Sequence, residues 1–455
     1  MAIKLNSIIH IMLLILSSTG CAHGQDVRTK LDSYVSAFAD QEKFSGSVLV
    51  AQKGRVLLNK GYRKANYERD IPNTPQTKFK IASITKQFTA MAIMQLQEKG
   101  LLSVQDYLSK HLPGYPNGEI ITIHHLLTHR SGIPDYCAFS NFPEEKIKPH
   151  TLLQLIELFK DRPLEFQPGI QYKYSNSGYV LLAYIIEKSS GKNYESFLKE
   201  NIFDKIGMLD SGNGASSGTL KNLASGYKVG DIMLPADDVD MSFVVGTGSL
   251  YSSVEDLYKW DQALYSDVLL KIFSLKKTFT PHYAPADSLS ASGYGYGWNI
   301  HQVHNRNVVS HLGGIEGFSS LIHRYPDEKI CIIILGNIEN IDRFRIANGL
   351  AAILLGKEYR LPIKHATVTI DPTIYDKYVG KYKFDDGLIL QIYKNIDRLY
   401  TGPNEQHITE VFPKSETDYF YKMSEVQISF TNDKFGQTTG LTLRDQQDNY
   451  AKKIE

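Results

Sequence analysis

A chain of 455 residues with 42% hydrophobic residues, 22% charged residues and a net charge of +1 has the composition of a soluble globular protein, and it is long enough for two or three cores. The near-neutral balance, with no polybasic run, excludes a general affinity for nucleic acid or for an acidic polymer. Cysteine occurs only at Cys21, Cys137 and Cys331, so the fold does not depend on a disulfide framework.

Residues 1–24 read as an export signal. Lys4 is the positive start, Ile8 to Leu16 a short apolar run and Ser17-Ser18-Thr19-Gly20 a small-residue region. The apolar run is too short to span a bilayer. Cys21 after Gly20 resembles the acylated cysteine of a bacterial lipoprotein, although Ser18 stands where that signal usually has Leu. Cleavage before Cys21 would leave a periplasmic or membrane-tethered protein. Ordinary cleavage after Ala22-His23-Gly24 is the alternative and would leave a secreted one.

In the mature chain, Gly46 to Ala51 and Val56 to Gly61 read as strands joined by a Lys53-Gly54 hairpin turn. An α-rich stretch follows. Ser83 to Lys99 places Ile84, Phe88, Met91 and Ala92 at helical spacing and stops at Gly100. Further helices are expected over Thr151 to Lys160, Tyr179 to Ser189, Tyr194 to Ile202 and Val254 to Leu264. Strands return at Asn307 to His311, Phe318 to His323 and Ile330 to Leu335, with Cys331 as a small buried hydrophobe, and Arg343 to Leu355 is a closing helix.

After Gly356 the texture changes. Residues 25–355 are expected to form one domain, 356–372 a linker containing Pro362 and Pro372, and 373–455 a small antiparallel β domain of short Tyr-, Ile- and Phe-rich runs. The tyrosines between Tyr375 and Tyr450 could line a groove, but β-propensity accounts for them.

Three short motifs carry chemistry. Ser83-Ile84-Thr85-Lys86 heads a helical segment, and residues three apart share a helix face, so Lys86 stands one turn from the Ser83 hydroxyl. A serine needs a base, and an exposed lysine with a pKa near ~10.4 is no base at neutral pH. Burial and a helix N-terminus both lower that value, and the Ser83 N–H at the same N-terminus can face an oxyanion. Tyr174-Ser175-Asn176 and His311-Leu312-Gly313-Gly314 follow downstream. Ser-x-x-Lys recurs at Ser189, Ser196, Ser225 and Ser274, and Tyr-x-Asn at Tyr115 and Tyr393, so order and setting carry the inference.

Together with His124-His125-Leu126-Leu127-Thr128-His129-Arg130-Ser131-Gly132-Ile133-Pro134 and Gly246-Thr247-Gly248-Ser249-Leu250, these segments resemble the penicillin-recognising serine hydrolases, in particular class C β-lactamases, DD-peptidases and related esterases. The resemblance covers about residues 30 to 355. It implies an α/β (α+β) fold, with an antiparallel sheet flanked by helices and an α-rich subdomain, and it requires neither metal nor organic cofactor. It makes Ser83 the acylated nucleophile, Lys86 its activating base with Tyr174 the alternative for acylation, Tyr174 a proton carrier that later activates water, and Asn176 the residue orienting Lys86 and the substrate amide. His311 would stand in the third motif on an edge strand, where Gly313 lets substrate approach and the Gly314 N–H completes the oxyanion hole.

The substrate expected from this resemblance is a small ester, amide or D-amino-acid peptide. A β-lactamase proper and a non-turnover penicillin-binding sensor are the alternatives. Where many β-lactamases have Lys-Thr-Gly, this chain has His311 and Leu312. The missing hydroxyl removes a charge-assisted hydrogen bond of about 1.5 to 3 kcal/mol to a drug carboxylate, which argues against efficient β-lactam hydrolysis. The C-terminal region, through Tyr378-Val379-Gly380-Lys381-Tyr382, resembles the small lipocalin-like domain appended to some of these hydrolases.

Three other signals compete. Gly214-Ala215-Ser216-Ser217-Gly218 matches a nucleophile elbow but lies in a polar stretch without the strand and helix that motif needs. His125 and His129 are four apart, without a third metal ligand at recognised spacing. Trp260 and Trp298 read as packing residues, while Gly293-Tyr294-Gly295-Tyr296-Gly297-Trp298 could set an aromatic wall near the cleft.

Overall fold

The Lys53-Gly54 turn closes the first hairpin with both residues at positive φ, 51° and 77°, the conformation that matches the twist of paired strands. The structure, a computed structural model, describes residues 26–214, 220–229, 233–283, 293–402, 408–444 and 447–455. It divides into two units: Phe44–Tyr359 with the chain up to Ala39, and Arg360–Glu455 with Asp40–Lys43.

The larger unit is built on a seven-stranded antiparallel sheet. Its order is Gly293–Tyr294, Asn299–Val303, Arg306–Ile315, Phe318–Tyr325, Ile330–Gly336, Gly46–Gln52, Arg55–Tyr62. The Phe318–Tyr325 and Ile330–Gly336 strands are buried along their whole lengths. Both faces are therefore covered. Successive residues on a strand point to opposite faces. Arg324 is taken by Asp261 of the Val254–Ala263 helix, while the ring of His323 lies 6.2 Å from Phe344 of the Arg343–Leu354 helix.

The third-motif strand is not an edge strand of this sheet. Arg306–Ile315 lies third in order, but its pairing with Asn299–Val303 ends at Ser310. The expected edge is thus a local one, over His311 to Ile315, created by a neighbour that is too short.

The helix expected from Ser83 begins as a single tight turn, Ala82–Ile84, and continues as an α-helix over Thr85–Glu98. It is buried from Thr85 to Leu96. No polar face remains, because the helix runs through the core beside the Asn176–Ser190 helix. That second helix starts at Asn176, three residues before the expected Tyr179, and ends at Gly191 in the left-handed conformation. A helix over 26–39, buried through Leu31, Tyr34, Val35 and Phe38, was not expected from the pattern.

The smaller unit contains a closed barrel of eight strands from Gly380–Phe384 to Asp448–Lys453, sealed by pairing of the first with the last. Its interior is filled by side chains, including Tyr375, Tyr378, Tyr382, Tyr419 and Phe430. Tyr378 stacks on Phe430 at 3.9 Å. Those tyrosines are therefore core, as expected of a small barrel. Residues 357–371 carry no helix or strand, and from Arg360 onward they cluster with this unit. Lys43 joins it through the Ile363 carbonyl at 3.0 Å and the Glu425 carboxylate at 3.1 Å.

Candidate active site

Ser83 follows a strained residue. Ala82 has φ +46°, a region that non-glycine residues rarely occupy and that persists only where neighbours over-determine it. They do so here. The Ile81 N–H donates to the Leu250 carbonyl at 2.9 Å, and the Ser320 hydroxyl donates to the Ile81 carbonyl at 2.8 Å.

Gly313 completes this clamp. A Cβ at Gly313 would stand 2.3 Å from the Ile81 carbonyl oxygen, 2.4 Å from Ser320 Oγ and 3.1 Å from Ala82 Cβ. The glycine therefore admits the backbone that presents Ser83, a different neighbour from the substrate expected there. Gly314, the next residue, is exposed, and a Cβ there would meet only Arg343 Nη1, at 3.9 Å. Arg343 donates to the Gly313 carbonyl.

Lys86 is the hub. Its Nζ lies 3.1 Å from Ser83 Oγ and donates to Asn176 Oδ1 at 2.7 Å and to the Thr247 carbonyl at 2.9 Å. Burial lowers its pKa to about 7, against an opposing pull from the Asp135 charge. Near neutrality a large fraction of this amine is unprotonated and able to accept the Ser83 proton. The Gly246-Thr247-Gly248 motif is thus explained by a carbonyl: Gly246 sits where a Cβ would meet the Tyr179 carbonyl at 2.6 Å, which lets the loop reach Lys86.

Tyr174 shares the site but differs in electrostatics. Burial pushes its hydroxyl well above the ordinary value of 10, with Ser83 as an opposing hydrogen-bond partner. Its ring lies 4.9 Å from Lys86 Nζ and tilts against His129 at 4.1 Å. His129 Nδ1 accepts from the Ser175 N–H at 3.2 Å. Burial, Lys86 and His311 hold His129 well below its usual pKa, so it packs as a neutral ring. His125 is engaged elsewhere: its Nδ1 accepts from the Thr122 N–H at 3.3 Å in a capping box. The two histidines thus serve separate structural contacts.

His311 faces the same cluster without a charge. Its Nδ1–H donates to the Leu312 carbonyl at 2.7 Å, and its Nε2 accepts from the Tyr294 hydroxyl at 2.9 Å. Burial, then the Lys86 charge, bring its pKa down to about 3. The third motif therefore presents a neutral imidazole where Lys-Thr-Gly enzymes carry a cation.

One contributor, Asp135, went unread in the sequence. Asp135 accepts from Asn176 Nδ2 at 3.2 and 3.0 Å and from the Asn176 N–H at 3.2 Å. Its place directly after the Ser131-Gly132-Ile133-Pro134 segment was the available signal. Tyr294, expected as part of an aromatic wall near the cleft, supplies the hydrogen-bond partner of His311. Trp260 stacks on Phe88 at 4.4 Å and Trp298 packs over Arg324, so both are packing residues. Ser216 and the rest of the elbow-like stretch after Gly214, and Cys21 with the whole segment expected to be an export signal, lie outside the described residues. Among the described residues no helix is long and apolar enough to cross a membrane.

Comparison with known proteins agrees with this geometry. The beta-lactamase family profile matches residues 31–356, and a domain of unknown function, DUF3471, matches 364–454. Penicillin-binding protein 4* of Bacillus subtilis (strain 168) is 34% identical over 431 residues, covering 90% of this chain and 94% of that protein. The octameric penicillin-binding protein homologue from Pyrococcus abyssi superposes with a TM-score of 0.67 at 28% identity, over 93% of this chain and 99% of the other. D-amino acid amidase from Ochrobactrum anthropi SV3, solved with D-phenylalanine, shares the fold at a TM-score of 0.63 and 22% identity, over 72% of this chain and 99% of the other. With Ser83, Lys86, Tyr174 and Asn176 gathered at one site on this fold, the chain belongs to the beta-lactamase family of serine hydrolases, the superfamily that includes the penicillin-binding proteins.

Proposed function

We propose that this protein is an exported serine hydrolase that cleaves a small ester, amide or D-amino-acid peptide through an acyl-Ser83 intermediate. The observation that carries the reading is Lys86, buried, depressed to about 7 and within 3.1 Å of Ser83 Oγ. Neutral Lys86 takes the Ser83 proton as Oγ adds to the substrate carbonyl carbon. The N–H groups of Ser83 and Gly314 receive the oxyanion. As the tetrahedral intermediate collapses, the Tyr174 hydroxyl gives its proton to the leaving atom and is reprotonated from the Lys86 ammonium. Water then enters, loses a proton through the same Tyr174–Lys86 relay and releases the acid. Asn176, oriented by Asp135, holds Lys86 in register.

Neutral His311 and apolar Leu312 offer no cation or hydroxyl to a β-lactam carboxylate. Esters and amides that lack such a carboxylate are the better match, and kcat/KM for a short-chain p-nitrophenyl ester should exceed that for a chromogenic cephalosporin. The test is a fluorophosphonate probe. It should label Ser83, as mapped by peptide mass spectrometry, and Ser83→Ala should abolish labelling and turnover. Labelling at Ser216 instead would overturn the nucleophile. An acyl-Ser83 that persists for hours with every ester tried would make the protein a penicillin-binding sensor rather than an enzyme.

Export rests on the leader and lipidation on Cys21. Cys21→Ala or globomycin should release the protein from the membrane fraction of the host. A mature N-terminus at Gln25 would rule lipidation out.

A further inference from the structure

Arg343 opens the Arg343–Leu354 helix, and its Nη1 donates to the Gly313 carbonyl of the third-motif strand. The same nitrogen would stand 3.9 Å from a Cβ built on Gly314. The guanidinium is thus fixed beside one peptide group, the one that joins Gly313 to Gly314. Stability gives little reason for it to be there. A cation in the first turn of a helix opposes the macrodipole, and burial disfavours the charged guanidinium and lowers its pKa. The Asp342 charge pulls the other way, but the Asp342 carboxylate is spent on the helix end, where it accepts from the Arg345 N–H at 3.1 Å. Among the described residues no carboxylate stands within ion-pair distance of Arg343.

The chemistry of that peptide makes the contact matter. A trans peptide is planar and sends its C=O and N–H to opposite sides, so the guanidinium holds the Gly313 oxygen while the Gly314 N–H faces away from it. Amide resonance couples the two ends. Drawing electron density onto the carbonyl oxygen leaves the nitrogen poorer, and its N–H becomes a stronger donor. A charged donor does this more than a neutral one, and linked hydrogen bonds polarise one another where the local dielectric is low. Ser310 is the last residue of this strand paired to Asn299–Val303, so beyond it no strand on that side claims the backbone groups.

We propose that Arg343 is a positioning residue for acyl transfer: its guanidinium fixes and polarises the Gly313–Gly314 peptide, so that the Gly314 N–H binds an oxyanion more strongly than an ordinary strand amide does. The proposal rests on the acyl-Ser83 reading, in which that N–H receives the oxyanion, and adds the group that acts on it from behind. Arg343 acts through the peptide and not on the substrate. An oxyanion forms in both acylation and deacylation, so both steps depend on Arg343. Ground-state binding does not, because the substrate carbonyl carries little of that charge.

The test uses full-length protein, p-nitrophenyl acetate and phenylboronic acid, whose boron takes Ser83 Oγ to form an anionic tetrahedral adduct while the Ser83 proton passes to Lys86. Arg343→Met should lower kcat by about 10- to 30-fold, less than the ~100- to 1,000-fold expected for losing a whole oxyanion donor. KM should stay within about 2-fold of wild type, and boronate affinity should fall by a factor similar to that in kcat. Arg343→Lys keeps a charged donor and should recover part of the loss. Guanidinium chloride below denaturing concentration should also recover part of it in Arg343→Met, where sodium chloride does not. Arg343→Gln, a neutral donor, keeps the test open if the Met variant does not fold: wild-type kcat and boronate affinity in either folded variant would overturn the proposal. A loss that neither Lys nor guanidinium relieves would mark a packing role and overturn it as well. A loss confined to an ester that carries a carboxylate, mono-p-nitrophenyl succinate, would make Arg343 a substrate ligand instead. If the wild-type protein shows no acetyl-Ser83 by mass, the nucleophile reading falls and takes this inference with it.

Discussion

Asp135 stands directly behind Asn176, its carboxylate accepting both the side-chain amide N–H group and the main-chain N–H of that residue. This arrangement leaves the Asn176 carbonyl oxygen free to point at Lys86, which donates to it at 2.7 Å. It also places a carboxylate near the Lys86 ammonium, and that charge raises the lysine's pKa against the larger lowering by burial. Asp135→Asn should therefore lower the Lys86 pKa further, so that the neutral amine survives to more acid pH. The acid limb of the kcat/KM profile should move down, while kcat drops by about 10- to 100-fold through misplacement of Asn176. An acid limb displaced upward would contradict the assigned role.

The wild-type pH profile follows from the same pair of pKa directions. Lys86 must be unprotonated to accept the Ser83 proton, so kcat/KM with an ester should be half-maximal near pH 7 on its acid side. His311, neutral down to about 3, adds no second limb in this range. Tyr174, held well above 10, adds no alkaline limb below that pH. A limb near pH 4 in place of one near 7 would show that a carboxylate, not Lys86, is the base.

In the proposed mechanism Tyr174 is the proton carrier and Lys86 the initial base, because burial moves the Tyr174 pKa away from neutrality while it brings that of Lys86 toward it. Tyr174→Phe should slow turnover by about two to four orders of magnitude and leave the acid limb near pH 7 unchanged. Steady-state rates equal to wild type would remove Tyr174 from the mechanism.

Gly313 and Gly314 separate a packing role from a site role. Gly313→Ala places a Cβ 2.3 Å from the Ile81 carbonyl oxygen and forces the nucleophile backbone to move. We expect at least about a hundred-fold loss of kcat/KM from displacement of Ser83. Gly314→Ala keeps its N–H and meets only the far end of Arg343, so fluorophosphonate labelling of Ser83 should persist. The reverse order of sensitivity would refute the clamp.

Arg324 and Asp261 form a buried pair at 2.5 Å, each almost fully covered, with Trp298, Phe279 and Tyr265 around the guanidinium. Asp261→Ala strands that charge in the core and should cost about 3–5 kcal/mol in denaturant unfolding. Asp261→Leu combined with Arg324→Met should recover most of the loss. A single variant within about 1 kcal/mol of wild type would mean that water reaches the pair.

Much of the fold was legible because local patterns and burial agreed. The Ile330–Gly336 run reads as a buried strand and is one, and the Lys53-Gly54 turn pairs its strands as expected. The Asn176–Ser190 helix reads three residues short because Ser175, Asn176, Ser177 and Gly178 look like turn residues, yet the helix N-terminus is where Asn176 meets Asp135. The helix over 26–39 is hard to see although Leu31, Tyr34, Val35 and Phe38 share one face, since it follows directly on the segment read as an export signal.

By itself, the sequence determined the family and the candidate groups: Ser83 and Lys86 stand three residues apart at a spacing that belongs to the chain, and the order of the motifs places them in one family. Only the tertiary structure decided their electrostatics and neighbours. The Lys86 pKa depends on burial between segments 90 and 161 residues away in sequence, and the role of Gly313 depends on a backbone that no local pattern brings near. The neutrality of His311 comes from the loss of water around it and from the nearby Lys86 charge. Composition and spacing act through local backbone preference, whereas desolvation and close approach arise only when distant segments pack together.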